Sequence, residues 1–363
     1  MSNQRFVVIM AGGKGERFWP QSRLARPKQL LPIVGDSPMI TQTVERLPKL
    51  VPYENILVLT NREQRAAVVE ACPMLPPENI VAEPIGRDTA AAVGLAALLV
   101  GRRDPNATLA MLPADHVIHN TEAFCEVLSA AFAAAEGAER LLTVGIHPTE
   151  PATGFGYIQK GDVATRAEGR EVYAVKRFVE KPDLETAKSY LASGDYLWNA
   201  GMFVWSVPAI RHAIRKYVPE LDAGLVAIEN DLAAGGELDA TLEKHFPGLK
   251  KISIDYAVME KADNVFTMTA TFDWDDVGAW PAIVKHMACD EAGNAIRGAG
   301  TVKDGKNNLI VSTDDHLVAV LGTEDLIVVH TPDATLVCPK SRAQQIKALV
   351  TDLGKDERWK KLL

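Results

Sequence analysis

Residues 5–35 read RFVVIMAGGKGERFWPQSRLARPKQLLPIVG. The apolar run Arg5–Met10 has the length of a buried strand, and a loop rich in glycine, cationic side chains and proline follows it directly. Gly12, Gly13 and Gly15 let backbone N–H groups turn inward without a Cβ clash, which is how a loop forms a binding site for an anion. The stretch therefore predicts a phosphate-binding loop at the end of the first strand.

Two cationic side chains of this loop are suited to phosphate oxygens. Arg17 offers a planar fork of donors and Lys28 a point charge, while Pro20, Pro27 and Pro32 stiffen the loop. The loop lacks the third glycine of the dinucleotide fingerprint, and it also lacks the G-K-[ST] of the P-loop. A flexible surface turn with solvated charges is the alternative, but glycines, cations and prolines together favour a phosphate site.

The composition is that of an ordinary globular protein with an acidic balance. The 363 residues are 47% hydrophobic and 24% charged, and 39 Lys+Arg against 47 Asp+Glu leave a net charge of −8. This charge argues against a duplex nucleic-acid binder, because such domains are usually basic. The four cysteines form no CxxC pair, no signal peptide precedes the first strand, and no apolar run approaches the roughly 18 residues of a membrane span. We therefore expect a cytoplasmic protein that binds neither nucleic acid nor membrane.

The first half of the chain alternates apolar runs of strand length with helical patterns. This alternation predicts an α/β fold in which helices cover both faces of a mostly parallel sheet. Such sheets bind ligands at the carboxyl ends of their strands, where the glycine-rich loop begins. We place strands at 5–10, 55–60, 79–82, 108–112 and 141–145, and helices at 39–47, 62–72, 89–102 (with Asp88 as N-cap) and 123–136.

The pattern changes after Gly154. GFGYIQKG and VYAVKRFVEKP predict paired strands, a helix follows at 184–192, WNAGMFVW predicts another strand, and 208–262 is mainly helical. A break near 290–305 precedes four short apolar pieces, NLIVST, HLVAVLG, DLIVVHT and ATLVCP, and a helix at 341–353. We expect one domain over residues 1–290 and a small β-rich domain over 291–363, which periodicity alone leaves open as a β-helix or a small β-sandwich.

Residues 12–29, GGKGERFWPQSRLARPKQ, resemble the signature of the sugar-1-phosphate nucleotidyltransferases, and RFWPQSRLARPKQ resembles the mannose-1-phosphate guanylyltransferase branch. Four further stretches agree in content and order: AEPIGRDTAAAVGLAA, LPADH, GFGYI…FVEKPD…WNAGMF and WDDVGAW. The resemblance covers residues 5–290 and, more weakly, the tail. It implies a Rossmann-like nucleotidyltransferase domain with a mixed, mostly parallel sheet, followed by a C-terminal β-helix-like domain.

The resemblance implies transfer of GMP from GTP to α-D-mannose 1-phosphate, assisted by Mg²⁺ and giving GDP-mannose and pyrophosphate. A phosphate monoester is largely ionised near neutral pH, so no side-chain nucleophile or strong base is needed. Longer relatives carry an additional phosphomannose isomerase domain, for which 363 residues leave no room, so we expect the single-activity short form. By resemblance the tail is a packing or dimer element, and we expect a homodimer. The alternatives are a relative that uses another sugar 1-phosphate, a non-catalytic sensor of sugar nucleotides, and an interaction module built on the C-terminal strands.

By the same resemblance, each motif receives a role. The glycine-rich loop and the turn AEPIGRDTA bind the nucleotide, while GFGYI, FVEKP and WNAGMF line the sugar pocket. The catalytic residues are Arg17, Lys28, Asp115 and Asp276. The nucleotide-binding residues are Gly12, Gly13, Gly15, Arg17, Glu83, Pro84, Arg87, Thr89 and Asp115, and the sugar-phosphate-binding residues are Gly156, Tyr157, Glu180, Lys181 and Asn199.

Two acidic motifs resemble the metal-binding aspartates of the family. Asp115 ends the strand TLAMLPAD, and Asp276 lies in WDDVG, where the adjacent Asp275 leaves the choice open. Mg²⁺ prefers oxygen ligands and commonly takes one or two carboxylates together with phosphate oxygens and water. We expect one aspartate from each half of the chain to hold the ion, and we expect His116 to make a structural hydrogen bond.

Overall fold

A nine-stranded sheet forms the centre of the molecule in the computed structural model, which describes residues 4–363. The strands are β1 Arg5–Met10, β2 Ile56–Asn61, β3 Ile80–Glu83, β4 Thr108–Pro113, β5 Leu141–Ile146, β6 Tyr157–Ala167, β7 Arg170–Val179, β8 Tyr196–Ser206 and β9 Val265–Thr269. They follow the order β3-β2-β1-β4-β8-β5-β9-β7-β6. β7 and β8 run antiparallel to the other strands, which share one direction. The mixed, mostly parallel sheet expected from the sequence is confirmed.

Helices cover both faces of this sheet. They are α1 Met39–Glu45, α2 Arg62–Ala71, α3 Asp88–Arg103, α4 Thr121–Ala135, α5 Leu184–Ser193, α6 Val207–Tyr217, α7 Pro219–Ala233 and α8 Leu238–His245. Phe6 and Val8 of β1 point into a core shared with α3, α6 and α7, whereas Val7 and Ile9 point into a second core shared with α1, α2 and α4. β1 is thus buried on both faces, and the glycine-rich loop starts from a rigid point.

The start of α3 differs from the expectation that Asp88 caps the helix from outside. Asp88 is the first helical residue, with a φ of 65°, and its Oδ1 accepts the adjacent Thr89 N–H at 2.8 Å. The Thr89 hydroxyl accepts the Ile254 N–H at 2.8 Å, and the Ala90 N–H donates to the Ile252 carbonyl at 3.1 Å. The segment 252–254 therefore provides hydrogen-bond partners for the first turn of α3. No local pattern in the sequence predicts these contacts.

Parallel strands stack in the C-terminal part. These strands are β10 Ala295–Arg297, β11 Gly300–Lys303, β12 Leu309–Ser312, β13 Val318–Leu321, β14 Leu326–Thr331 and β15 Ala334–Pro339. β10, β12 and β14 form one parallel ladder and β11 and β13 another, with β15 antiparallel to β14. Such stacking of successive turns is that of a solenoid, so the β-helix-like domain is confirmed over the sandwich. The expected break near 290–305 is wrong in part, because the short strands β10 and β11 lie within it.

The C-terminal domain packs against the glycine-rich loop. After β15, this domain continues with a 3₁₀ helix, Lys340–Gln345, that leads into α9 Ile346–Leu353. The Trp280 indole donates to the Trp19 carbonyl at 3.1 Å, and the Trp19 indole donates to the Leu362 carbonyl at 2.8 Å. One apolar core encloses these contacts and fixes the loop from both ends of the chain. Within residues 4–363, no helix combines the length and the apolar character needed to cross a membrane.

Candidate functional site

Two adjoining cavities lie at the carboxyl ends of β1, β3 and β4. The basic cavity has a volume of about 420 Å³ and the central cavity one of about 500 Å³. Both are lined by His116 and Asp276, so a ligand can extend from one into the other. The basic cavity is lined by Lys14, Gly15, Glu16, Arg17, Phe18, Lys28, Asp115, His116, Asp276, Gly278 and Lys347. The lining of the central cavity includes Gly12, Gly13, Glu83, Gly86, Asp88, Thr89, Gly156, Glu180, Asn199, Asp255 and Trp274.

The carbonyl groups of the glycine-rich loop are held by two of its own side chains. Gln29 Nε2 donates to the carbonyls of Ala11 at 2.9 Å and Gly13 at 3.0 Å, and Ser22 Oγ donates to that of Gly15 at 2.8 Å. Across a trans peptide the C=O and the next N–H point in opposite directions, so the N–H groups that follow these carbonyls face away from Gln29 and Ser22. This orientation suits the binding of an anion.

Gly15 allows the loop to approach Lys28 closely. Its φ is 62°, and a Cβ atom at this position would lie 2.5 Å from Lys28 Cβ and 2.6 Å from Lys28 N. A residue with a side chain would have to displace the backbone of Lys28 and also adopt a left-handed conformation. Gly15 therefore determines where Lys28 enters the site.

Lys28 is buried beneath two aspartates. Its Nζ donates to Asp115 Oδ2 at 2.8 Å, to the Asp115 carbonyl at 3.0 Å and to the Asp276 carbonyl at 2.6 Å. The Lys28 side chain is 6% exposed and that of Asp115 is 37% exposed. The sequence suggested a point charge offered directly to a phosphate. In the structure all three ammonium protons are used by the protein, and Lys28 ties the two acidic motifs together.

The carboxyl groups of Asp115 and Asp276 differ in pKa. Burial alone would raise the pKa of Asp115, but the Lys28 ammonium holds this pKa below its usual value. Burial raises the pKa of Asp276 to about 6, with Lys28 opposing the rise and the Asp275 and Asp115 carboxylates adding to it. Neighbouring carboxylates of this kind are neutralised by a divalent cation with oxygen ligands. Because residues 4–363 hold no group of three or more His, Cys, Asp or Glu arranged for a metal, such an ion would need further oxygens from phosphate or water.

The Asp275 carboxylate is engaged within the protein. Its Oδ1 accepts the Val277 N–H at 2.7 Å, and its Oδ2 lies 3.2 Å from His286 Nε2. Val277 has a φ of 45°, a conformation that costs a β-branched residue about 1–3 kcal/mol and persists only where neighbours impose it. Asp275 thus shapes the turn that directs Asp276 into the cavities.

His116 has the structural partner expected of it. Its Nδ1 accepts the Trp274 indole N–H at 3.1 Å, and its carbonyl accepts a guanidinium N–H of Arg46 at 3.1 Å. Burial lowers the pKa of His116 to about 4, so the ring is neutral near pH 7 and can accept at Nδ1. The histidine thereby holds Trp274 in the wall of the central cavity.

Two of the four residues predicted from AEPIGRDTA line the central cavity, namely Glu83 and Thr89. Glu83 is 7% exposed, burial raises its pKa to about 7, and its Oε1 has no hydrogen-bond partner among residues 4–363. A buried carboxyl oxygen without a partner is suited to a donor on a ligand. Pro84 and Arg87 lie outside the lining of this cavity.

Gly156, Glu180 and Asn199 meet in the central cavity, as the sequence predicts. A Cβ atom at Gly156 would lie 2.5 Å from Glu180 Oε2, so this glycine leaves room for the carboxylate. Asn199 Nδ2 donates to Asp255 Oδ1 at 3.0 Å and brings a second acid to the site. Burial, followed by the charge of Glu180, raises the pKa of Asp255 to about 7. The two acids can accept hydrogen bonds, and protonated Asp255 can donate one, to a ligand with several hydroxyls.

Tyr157 and Lys181 lie outside this lining, contrary to the expectation that both contact the sugar phosphate. Tyr157 is fully buried and donates its hydroxyl to the Ala152 carbonyl at 2.9 Å, so its side chain serves the core. Lys181 Nζ pairs with Glu180 Oε1 at 2.9 Å, and its side chain is 59% exposed. Lys181 therefore reaches the site only through Glu180.

Two charged residues of the cavities, Asp255 and Lys347, come from segments for which the sequence predicts no part of the site. Asp255 begins a π-helical turn, Asp255–Met259, of a kind often found at functional sites, but its sequence gives no sign that separates it from an α-helix. Lys347 lies on α9, far along the chain from the loop that it joins. Only tertiary structure brings either residue to the site.

Comparison with known proteins agrees with this geometry. The Nucleotidyl transferase family matches residues 6–293, and the MannoseP isomerase/GMP-like beta-helix domain family matches residues 303–353. The chain is 39% identical over 353 residues to the Mannose-1-phosphate guanylyltransferase of Klebsiella pneumoniae, with 97% of this chain and 74% of the relative covered. It is 40% identical over 353 residues to the Xanthan biosynthesis protein XanB of Xanthomonas campestris pv. campestris (strain B100), with 95% and 72% covered. A solved structure from Thermus thermophilus, described as mannose-1-phosphate geranyltransferase, is 35% identical and superposes with a TM-score of 0.84, covering 96% of this chain and 99% of that one.

Proposed function

The chain belongs to the mannose-1-phosphate guanylyltransferase family of nucleotidyl transferases, and we propose that it transfers GMP from GTP to α-D-mannose 1-phosphate, giving GDP-mannose and pyrophosphate. The family predicted from the sequence is thereby confirmed. The observation that carries the proposal is the pair of cavities that meet at Asp276 and His116. The basic cavity presents the cations of the glycine-rich loop, and the central cavity presents buried acids.

The chemistry is an in-line displacement between two anions. An oxygen of mannose 1-phosphate attacks the α-phosphorus of GTP, the bond from that phosphorus to the α–β bridging oxygen breaks, and pyrophosphate leaves with the electron pair. Because the attacking phosphate is already ionised, the protein has to align the reactants and stabilise developing charge. The N–H groups of Gly12, Lys14 and Glu16, which follow the carbonyls held by Gln29 and Ser22, and the guanidinium of Arg17 bind the triphosphate. Gly13 and Gly15 let the loop turn around it without a Cβ clash. Lys28 keeps the acidic groups of the reacting centre in place.

Glu83 binds the guanine base in this proposal. Its Oε1 is buried and has no partner within residues 4–363, and it lies beside the first turn of α3 in the central cavity. Guanine presents an N1–H and an exocyclic amine next to each other, whereas adenine presents an acceptor at N1. An ionised Glu83 accepts from both guanine donors and leaves adenine poorly paired. The contribution of Pro84, Arg87 and Thr89 is to fix the conformation of the turn that carries Glu83.

Glu180 and Asn199 bind the mannose hydroxyls, with Gly156 as the close backbone neighbour. Buried carboxylates discriminate between sugars because a misplaced hydroxyl leaves a buried acceptor unpaired. Asp255 joins this set through its hydrogen bond with Asn199. Lys181 neutralises Glu180 until the sugar phosphate offers a second anion, and Tyr157 supports the pocket from the core.

Asp115 and Asp276 would hold the Mg²⁺ on which the family generally relies. Their carboxylate oxygens are hard ligands, and Asp275 is engaged elsewhere. Burial, and after it the charges of Asp275 and Asp115, raises the pKa of Asp276, so a cation beside it would relieve both effects. When bound, the ion would neutralise negative charge on the two phosphates. Lys28 contributes by tying Asp115 to the backbone of Asp276, which keeps the two carboxyl groups at one place.

We propose that the chain has two domains. A catalytic domain over residues 1–290 and a C-terminal domain over 291–363 are supported by the separate sheets and by the two family matches. A homodimer that uses the C-terminal strands is supported by the exposed Leu321 and Val337 on them and by the exposed Leu317 directly before β13. A cytoplasmic location is supported by four free cysteines, which a reducing compartment maintains.

An assay across nucleotides and sugar phosphates tests the function. Purified protein with Mg²⁺ and each of four nucleoside triphosphates is offered mannose 1-phosphate and other sugar 1-phosphates, and pyrophosphate and sugar nucleotide are measured. We expect the highest kcat/KM for GTP with mannose 1-phosphate. Absence of pyrophosphate from every pair would refute the proposal. Binding of GDP-mannose without turnover would instead support the sensor, and a higher kcat/KM with another pair would support the other transferase.

A further inference from the structure

The basic cavity receives one side chain from the far end of the chain. Lys347, on α9, lines this cavity together with Lys14 and Arg17 of the glycine-rich loop. Its Nζ lies 3.7 Å from Glu16 Oε2, and its side chain is 62% exposed. The C-terminal domain thus adds a cation to a site that the catalytic domain otherwise builds.

The helix that carries Lys347 is held against the loop. Ile346 and Val350 are 3% and 9% exposed and pack in the same core as Phe18 and Trp19. The hydrogen bond from the Trp19 indole to the Leu362 carbonyl joins the loop to the chain beyond α9. The backbone of Lys347 therefore has a fixed place beside the loop, while its exposed ammonium is free to change partners.

Lys347 lines the basic cavity but not the central cavity. The two cavities share Asp276 and His116, whereas Lys14, Glu16 and Lys347 line the basic cavity alone. If the α-phosphorus lies at the shared residues and the β- and γ-phosphates extend into the basic cavity, these phosphates enter a space that Lys347 lines. The Glu16–Lys347 ion pair is long and its lysine is exposed, so it contributes little stability, and exchanging Glu16 for a phosphate oxygen costs little.

We propose that Lys347 binds the terminal phosphates of the nucleoside triphosphate and the pyrophosphate that leaves, so that the C-terminal domain completes the triphosphate site. The identity of the ligand rests on the proposed function. The polyphosphate site itself can be tested without turnover. On binding, the Lys347 ammonium moves from the Glu16 carboxylate to a phosphate oxygen, and no covalent bond changes in this step.

The test measures binding of inorganic tripolyphosphate to the full chain by calorimetry in Mg²⁺ buffer. Lys347→Gln should raise the Kd roughly tenfold, the lower end of the range for a hydrogen bond between charged groups. Lys347→Arg should retain affinity, and so should the control Lys355→Gln, since Lys355 pairs with Asp352 at 2.6 Å outside the cavity. In turnover, Lys347→Gln should raise the KM for GTP by a similar factor and leave the KM for mannose 1-phosphate within about twofold.

The same comparison in Glu16→Gln protein distinguishes two roles of Lys347, namely direct contact with the phosphate and neutralisation of the Glu16 charge. If Lys347 touches the phosphate, Lys347→Gln weakens tripolyphosphate binding in Glu16→Gln protein as well. If the loss disappears in that background, or if Lys347→Gln binds like the wild type, the inference is overturned. The wild type could make no GDP-mannose while Lys347→Gln still weakens tripolyphosphate binding. That pair of results would refute the proposed function and support the polyphosphate site.

Discussion

Replacing Lys28 with methionine tests the buried ammonium at the centre of the site. Methionine keeps a long, unbranched side chain but removes the charge and all three donors. In the wild type, Nζ makes hydrogen bonds of 2.8, 3.0 and 2.6 Å to Asp115 and to the Asp276 carbonyl, from a side chain that is 6% exposed. The variant leaves these acceptors without their donor.

The expected loss of stability follows from the burial of each partner. Removing one partner of a buried ion pair costs about 3–5 kcal/mol, because the other charge stays unpaired. The Asp115 side chain is 37% exposed, so water offsets part of this cost. We expect the free energy of unfolding of Lys28→Met to fall by about 2–3 kcal/mol. We also expect kcat to fall about a hundredfold or more, because Asp115 and Asp276 are no longer tied together.

Urea unfolding followed by circular dichroism in Mg²⁺-free buffer measures the first effect. The matched control is Lys14→Met, a lysine of the same loop whose side chain is exposed, which should change the free energy of unfolding by less than about 0.5 kcal/mol. If Lys28→Met were no less stable than Lys14→Met, Lys28 would not be the tie that the hydrogen bonds indicate.

Three further changes address the other parts of the site. Glu180→Gln turns one acceptor into a donor, so steady-state kinetics should show a higher KM for mannose 1-phosphate and an unchanged KM for GTP; the reverse would mean that the two pockets are exchanged. Glu83 has a pKa raised from 4.5 to about 7, so the folded wild type keeps a proton that the unfolded chain releases, and its stability falls as the pH rises between these values. Urea titrations at several pH values should find up to about 3 kcal/mol of this loss in the wild type and none of it in Glu83→Gln, and parallel pH profiles would contradict the assignment. Asp115→Asn and Asp276→Asn should each lower kcat at least about a hundredfold with unchanged circular dichroism, and near-normal turnover by both at low Mg²⁺ would contradict the metal assignment.

Local patterns sufficed for the strand and helix positions of the first half. β1 begins and ends where its apolar run does. Both of its faces are buried, so the four central positions, 6–9, are all apolar. The order of the sheet did not follow from these patterns. β8 lies between β4 and β5, and this insertion depends on contacts between strands far apart in sequence. A period of two residues says that a strand exists but does not say which strand is its neighbour.

The site was predictable where one short segment carries its own chemistry. The glycines and Arg17 follow a strand directly, and their types alone indicate an anion. Lys28 was identified as a cation of the site, but its burial under Asp115 and Asp276 arises from the meeting of three distant segments. Tyr157 was placed in the pocket by its motif, yet successive residues of a strand face opposite sides, and its side chain lies in the core.

The chain of indole hydrogen bonds from Trp280 through Trp19 to Leu362 has a consequence for how the protein can be recombined with its relatives. It joins three separated segments, so a chimera that takes the strands and helices from one parent and the C-terminal domain from another must also match both indoles and the tail. The natural unit of exchange is therefore the glycine-rich loop together with the C-terminal domain. A crossover placed in the linker near residue 290 would divide that unit.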